Sequence, residues 1–231
     1  MTETAVVTDF SVGDMWEKLP QYTDMANELG ASVLGAYQTA TRYYQQGLDT
    51  NAALAASVET MKMARIASMD YASATELLTA ALRGFNMEVN EISAARVNDV
   101  YSELAKITAA DTEQIGIAMS KVASLAHSAN MEFETTAAFL TQIIETTQEA
   151  PETAGTSLKT VLARFSEVKK LYSEGQLLGS DEEGQEINVN KIQEALRSVG
   201  ISMKDFLLGK EGLDQVLLRL AERWDTLDVS T

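Results

Sequence analysis

Cysteine is absent from the chain, and histidine occurs once, at His127. Disulfides, thiolate nucleophiles and zinc–thiolate centres are therefore excluded. A common transition-metal site would have to be built from carboxylates around a single imidazole. A cysteine-free chain also fits an intracellular assembly environment. Proline is nearly missing too, with two residues, beside 13 glycines. A β-sandwich or barrel needs many more turn residues, so the balance favours helices. Cations are scarce: 18 lysines and arginines face 34 acidic residues, a net charge of −16. Such a surface is soluble and self-repelling, and it disfavours specific binding to a phosphate backbone. No apolar run approaches the ~18 residues of a membrane span. The first residues, MTETAVVTDF, have neither a basic start nor an apolar core, so they do not read as a secretory signal.

What the chain does have is hydrophobic content, 45% of 231 residues, enough to bury a substantial core. Its spacing is helical. Val97, Val100, Leu104 and Ile107 follow three- and four-residue steps. So do Ile115, Ala118, Val122 and Leu125; Phe133, Ala137, Leu140 and Ile144; Leu158, Val161, Phe165 and Val168; and Leu213, Val216, Leu220, Trp224 and Leu227. Each set forms a stripe on one face of a helix, where a strand would need strict alternation.

Start and stop signals cut these stripes into helices. Ser73 with Glu76, and Asp111 with Gln114, have capping-box spacing. Pro151 suits a first helical position, and Gly30, Gly47, Gly84 and Gly200 suit left-handed C-terminal caps. The spacing predicts helices near 14–29, 31–46, 51–69, 72–84, 91–108, 112–128, 133–149, 152–172, 190–199 and 213–228. The fold class is thus all-α: an irregular array or bundle of about ten amphipathic helices joined by short loops. No fixed repeat period is present. The stretch Ser173 to Asn190, rich in Gly, Ser and acid, predicts one long exposed acidic loop, in which Ile187 and Val189 suggest a short extended segment. This divides the chain into a main helical region (1–172), an acidic linker (173–190) and a small C-terminal helical region (191–231).

Candidate chemistry is thin. Aligning Gly184 with the turn glycine of an EF-hand puts Asp181 and Glu183 at ligand positions, but Gly179 and Asn190 fall where acidic ligands are required. His127 lies near a predicted helix C-terminus, where the dipole accounts for it. Arg164, Lys169 and Lys170 form the best basic group and read as a solvated face. Gly209-Lys210 lacks the rest of a phosphate loop and reads as a turn. Trp16 and Trp224 fall on apolar faces near the two ends, suited to cores or subunit contacts. Tyr43-Tyr44, followed by Gln45-Gln46, suit half-buried packing or a contact surface. Met61, Met63 and Met69 suit core gaps or an adaptable interface. No residue is assigned as catalytic, cofactor-binding or metal-binding. The expectation is a non-enzyme without cofactors.

Several segments carry a resemblance. The run Glu152-Thr153-Ala154-Gly155-Thr156-Ser157-Leu158-Lys159-Thr160-Val161-Leu162-Ala163-Arg164-Phe165 resembles a signature of phage tail tape-measure proteins, an (A/I)-G-T-(A/S)-L-(K/R) stretch opening a helix. Leu196-Arg197-Ser198-Val199-Gly200-Ile201-Ser202 resembles that family's leucine-to-glycine-isoleucine step. LDQVLLRLAERWDTL, from Leu213 to Leu227, resembles the amphipathic helix that follows. Tyr71 to Phe85 and Glu113 to Ala126 are similar to its alanine-rich helices. Together these span about residues 20–228.

The resemblance implies a structural protein of a phage tail, part of the tape measure that sets tail length and sits in the tube lumen or tip. It implies self-association with other copies, and tail tube, distal tail or tip, and tail-assembly chaperone proteins as partners. It also implies a place in the virion after assembly in the host cytoplasm, with no membrane contact by this segment. Tape-measure proteins are usually far longer, so this chain is expected to be a conserved region of one, or a remnant encoded alone. A ruler measures most directly as one long helix at 1.5 Å per residue. Caps about every 20 residues predict a shorter articulated body that anchors or organises the ruler. The runner-up is a helical protein-binding module or chaperone-like protein with a methionine- or tyrosine-lined groove. A di-iron carboxylate bundle needs Glu-x-x-His twice, which one histidine cannot supply.

Overall fold

The computed structural model describes residues 12–223 apart from 177, 181–183 and 185, with side chains described from Trp16 onward. Eleven helices fill this span: α1 (Val12–Leu29), α2 (Val33–Gln45), α3 (Thr50–Ala67), α4 (Tyr71–Gly84), α5 (Glu91–Ile107), α6 (Thr112–Ser128), α7 (Phe133–Thr147), α8 (Pro151–Ser173), α9 (Val189–Ser198), α10 (Lys204–Leu207) and α11 (Leu213–Arg223). The protein is all-α, an irregular helical array. Ten of the eleven helices were legible from apolar spacing. The four residues of α10 are too few to show a period. Trp224 and Leu227 of the last stripe, and residues 224–228 of the last predicted helix, lie outside the described residues.

Local chemistry explains the boundaries. Ser32, Asp49, Asn90 and Asn188 each accept a hydrogen bond at their helix N-terminus from a backbone N–H three residues on, at 2.9–3.1 Å. Asp111 and Gln114 form the predicted capping box, with reciprocal bonds of 2.8 and 3.0 Å. Pro151 opens α8. The Ser73–Glu76 box is not formed. Asp70 caps α4 instead, accepting from the Ala72 and Ser73 amides and the Ser73 hydroxyl. The hydrogen bond of that hydroxyl, with the Ser73 amide's, holds the Asp70 carboxyl below its ordinary range. An aspartate three residues upstream outcompetes the serine because its Oδ1 accepts from both free amides while its Oδ2 takes up the serine hydroxyl.

The C-termini share one device. At eight turns an amide two or three residues past the helix closes back on a carbonyl five residues earlier, as in Ile201→Leu196 at 2.8 Å and Met131→Ala126 at 3.0 Å. The residue between is left-handed. Gly30, Gly47 and Gly200 fill this place as predicted, and Ser68, Asn86 and Asn130 fill it elsewhere. Gly84 does not. It is the last helical residue of α4, and a Cβ there would overlap the Ala123 Cβ of α6, so its role is close packing. The closing residue is often apolar: Met131 and Ile201 are buried, and Met69 and Met87 are half-buried against the core.

Within the expected acidic loop, Leu178–Ser180 (β1) and Glu186–Asn188 (β2) pair antiparallel, with Gly179 opposite Ile187. Ile187 is buried and Val189, also buried, begins α9. The loop is therefore tied down at both ends: two buried apolar residues outweigh the polar composition around them.

The buried apolar residues fall into two clusters. The larger runs from Met63 to Val216 and draws on α3 to α11, including Ile201, Met203, Phe206 and Leu213. Its central helix is α6, which packs on α4, α5, α7 and α8. Gly155 of α8 lies so close to α6 that a Cβ would overlap the Ala118 carbonyl, and Gly116 of α6 receives Leu77 of α4. The smaller cluster runs from Tyr22 to Met61, within α1, α2 and α3.

Candidate assembly surface

The segments that carry the resemblance turn out to be devices of packing and turning. In the run opening α8, Ala154, Gly155, Leu158 and Leu162 are buried, and Glu152, Thr153, Thr156, Lys159 and Val161 face outward. The glycine is needed because the α6 backbone occupies the space of its side chain. Val161, placed on the stripe by spacing, is 39% exposed, and Leu162 takes the inward position. The Leu196-to-Ile201 step is a left-handed helix stop. Gly200 has φ 74°, the Ile201 amide bonds the Leu196 carbonyl, and Ile201 is driven into the larger core.

The residues singled out for chemistry do not converge. Lys170 pairs with Glu167 at 3.3 Å and Lys169 lies 5.2 Å over the Phe206 ring, so two of the three basic residues are engaged with α8 and α10. His127 sits in the last turn of α6, as expected, with its ring edge toward Phe85. It borders a cleft of about 220 Å³ with Phe85, Met87, Arg96 and Phe133. Arg96 is held there by Glu134 through two bonds of 2.6 and 2.8 Å, which keep the Glu134 carboxyl below its ordinary range. For the calcium pattern, Gly179 lies in β1 and Asn190 in α9, while Asp181 and Glu183 fall outside the described residues. Gly209 forms a left-handed turn before Lys210, as read. Among the described residues no three histidine or acidic side chains gather as a metal site would require, and no helix is long and apolar enough to cross a membrane.

Two readings of apolar residues change, and the core-filling reading of the methionines holds. Trp16 is not in a core but 59% exposed, while Trp224 lies outside the described residues. Tyr43 and Tyr44 are buried outright, with the Tyr43 hydroxyl 2.5 Å from that of Thr60 and the Tyr44 hydroxyl 3.0 Å from that of Tyr22. Burial pushes the Tyr43 phenol up to about 12 and that of Tyr22 higher still. Met61 and Met63 are buried and Met69 half-buried, so these methionines fill core space.

What remains outside is a scatter of large apolar side chains. Ile92 is 81% exposed and Ile107 76%, at opposite ends of α5, where the predicted stripe ends in solvent. Leu34 and Ile66 are exposed at one end of the array, where Arg65 bonds the Leu29 carbonyl. Isolated residues of this kind are ordinary on the surface of a monomer. Single-residue patterning could not separate them from core positions, because both follow the helical period.

Helices that spend their motifs on holding one another define an all-α protein built around packing and turning. The chain belongs to the phage-related minor tail protein family, whose pattern it matches over residues 7–230. It is 30% identical over 158 residues to the tape measure protein of Pneumococcus phage Dp-1, a match covering 67% of this chain and 14% of that relative. The chain thus corresponds to about one seventh of the length of the relative it matches. No solved structure matches it. Family membership makes it a structural component of a phage or phage-derived tail, and so of the virion.

Proposed function

We propose that the chain is a folded segment of a tape measure: it takes part in setting tail length during assembly, in the tube lumen or at the tip, and anchors or organises the ruler. The observation that carries this is the fold-back of the helices. α6 is packed on α3, α4, α5, α7 and α8, and eight helix ends close in sharp left-handed turns. A measuring shaft needs length proportional to residue number, about 1.5 Å per residue along one helix. A segment built of turns stores its residues in a body and fits a fixed attachment point. Its partners on this reading are other copies of the chain, tube and distal-tail proteins, and tail-assembly chaperones, met in the host cytoplasm. Its acidic surface repels DNA, and no cofactor or catalytic group is assigned to it.

Two measurements test the reading. Small-angle scattering of the purified chain gives a compact body, and a rod of roughly 350 Å, the full-helix limit, would overturn the anchoring role. Affinity capture with the tagged chain from phage-producing cells recovers tube, tip or tail-chaperone proteins. Recovery of none of these, with unrelated helical peptides bound instead, favours a general helix-binding module.

A further inference from the structure

The two clusters are not equal parts of one core. In the smaller, five of the ten buried members are alanine, the rest are tyrosine and methionine, and none is Leu, Ile, Val or Phe. Among the described residues, Tyr71 and Val89 are the two half-buried apolar residues that touch both clusters. The dividing line crosses α3 between Met61 and Met63.

Along that line the contacts are polar. Glu59 is 3% exposed, and its carboxylate accepts from Lys62 at 2.6 Å and from the Asn98 amide of α5 at 2.8 Å. The same amide also donates to the Glu59 carbonyl at 2.8 Å. The Asn98 carbonyl oxygen is buried with no hydrogen-bond partner. A buried carboxylate and this unsatisfied oxygen recover hydration when the surfaces part, which offsets the apolar area lost. The buried hydroxyls of Thr39, Ser57 and Thr60 bond carbonyls of their own helices, so they keep those bonds on separation. Pro20, inside α1, weakens the outermost helix further by removing a backbone donor.

We propose that the molecule opens in two steps, with α1, α2 and α3 as far as Met61 coming away as one unit along the Glu59–Asn98 seam while α4–α11 stay folded. Opening uncovers Tyr71 at the start of α4 and Val89 in the connection from α4 to α5, and α3 parts near Lys62. This device is independent of whether the chain belongs to a ruler.

Hydrogen exchange of the full chain, followed by mass spectrometry in urea below the global transition, tests it. Amides from Tyr22 to Met61 should exchange as one urea-dependent class, about 100-fold faster than those of α6. Leu140→Ala, in the larger core, should speed exchange in α6 by about 100-fold and leave the α1–α3 class within about twofold, because the opened state keeps that core folded. The milder Ile144→Val gives the same pattern at smaller amplitude should Leu140→Ala not fold. One shared rate across the chain, equal acceleration of both regions, or urea-independent fraying residue by residue would each overturn the proposal.

Discussion

The buried apolar members of the smaller core are alanine, tyrosine and methionine; the larger core also has alanine and methionine but adds leucine, isoleucine, valine and phenylalanine. Both keep α-helices together, by different physics. Aliphatic burial around α6 gains roughly 1.5–3 kcal/mol per large side chain and is indifferent to pH. The smaller core relies on phenols that must stay protonated and paired, as at Tyr22–Tyr44 and Tyr43–Thr60. One sequence therefore holds a robust centre and a conditional N-terminal layer.

Alkaline pH should separate them most. Tyr43 has its phenol raised from 10.0 to about 12, and Tyr22 is raised further, both mainly by burial. Between pH 10 and 12 the opened chain releases phenolic protons that the folded chain retains. Each such tyrosine then removes about 1.4 kcal/mol of stability per pH unit, a contribution fully present below pH 10. Two of these tyrosines lie in the smaller core and one, Tyr101, in the larger. Urea midpoints followed by circular dichroism should fall steeply over this range, and a Tyr22→Phe/Tyr43→Phe double variant should lose most of the slope. A variant with an unchanged slope would remove the distinction.

The larger core should answer to shape. Gly155→Ala sets a methyl against the Ala118 carbonyl and should cost about 2 kcal/mol by pushing α8 off α6. Wild-type stability in that variant would show that the α6–α8 approach does not limit the larger core. Tyr43→Phe at neutral pH should cost about 1 kcal/mol, since the phenol's bond to Thr60 is lost while Thr60 keeps its bond to Ala56. Least of all, Arg96→Ala should change stability by less than about 0.5 kcal/mol, because the Arg96–Glu134 pair is roughly half exposed. Denaturation midpoints check each.

Much of this was legible beforehand, for reasons that can be named. The Asp111–Gln114 box, Pro151 and the left-handed glycines depend on a few neighbouring residues, so they survive as read. The Ser73 cap failed because Asp70 competes for the same amides. Gly84 was misread because its constraint comes from Ala123, 39 residues away in sequence, and Ser68 carries no turn signal at all. Ile107 and Val161 matched a stripe and still face solvent, since periodicity defines a face and not where the neighbour on that face ends.

Helical class, approximate boundaries and family were determined by the sequence alone, because propensity, capping and apolar period act within a few residues along the chain. The division into two unequal cores, the Glu59–Asn98 seam and the burial of Tyr43 and Tyr44 were decided only in three dimensions. Each depends on which helices meet, and that choice belongs to packing between segments 17 to 39 residues apart, where no local pattern in the chain reaches.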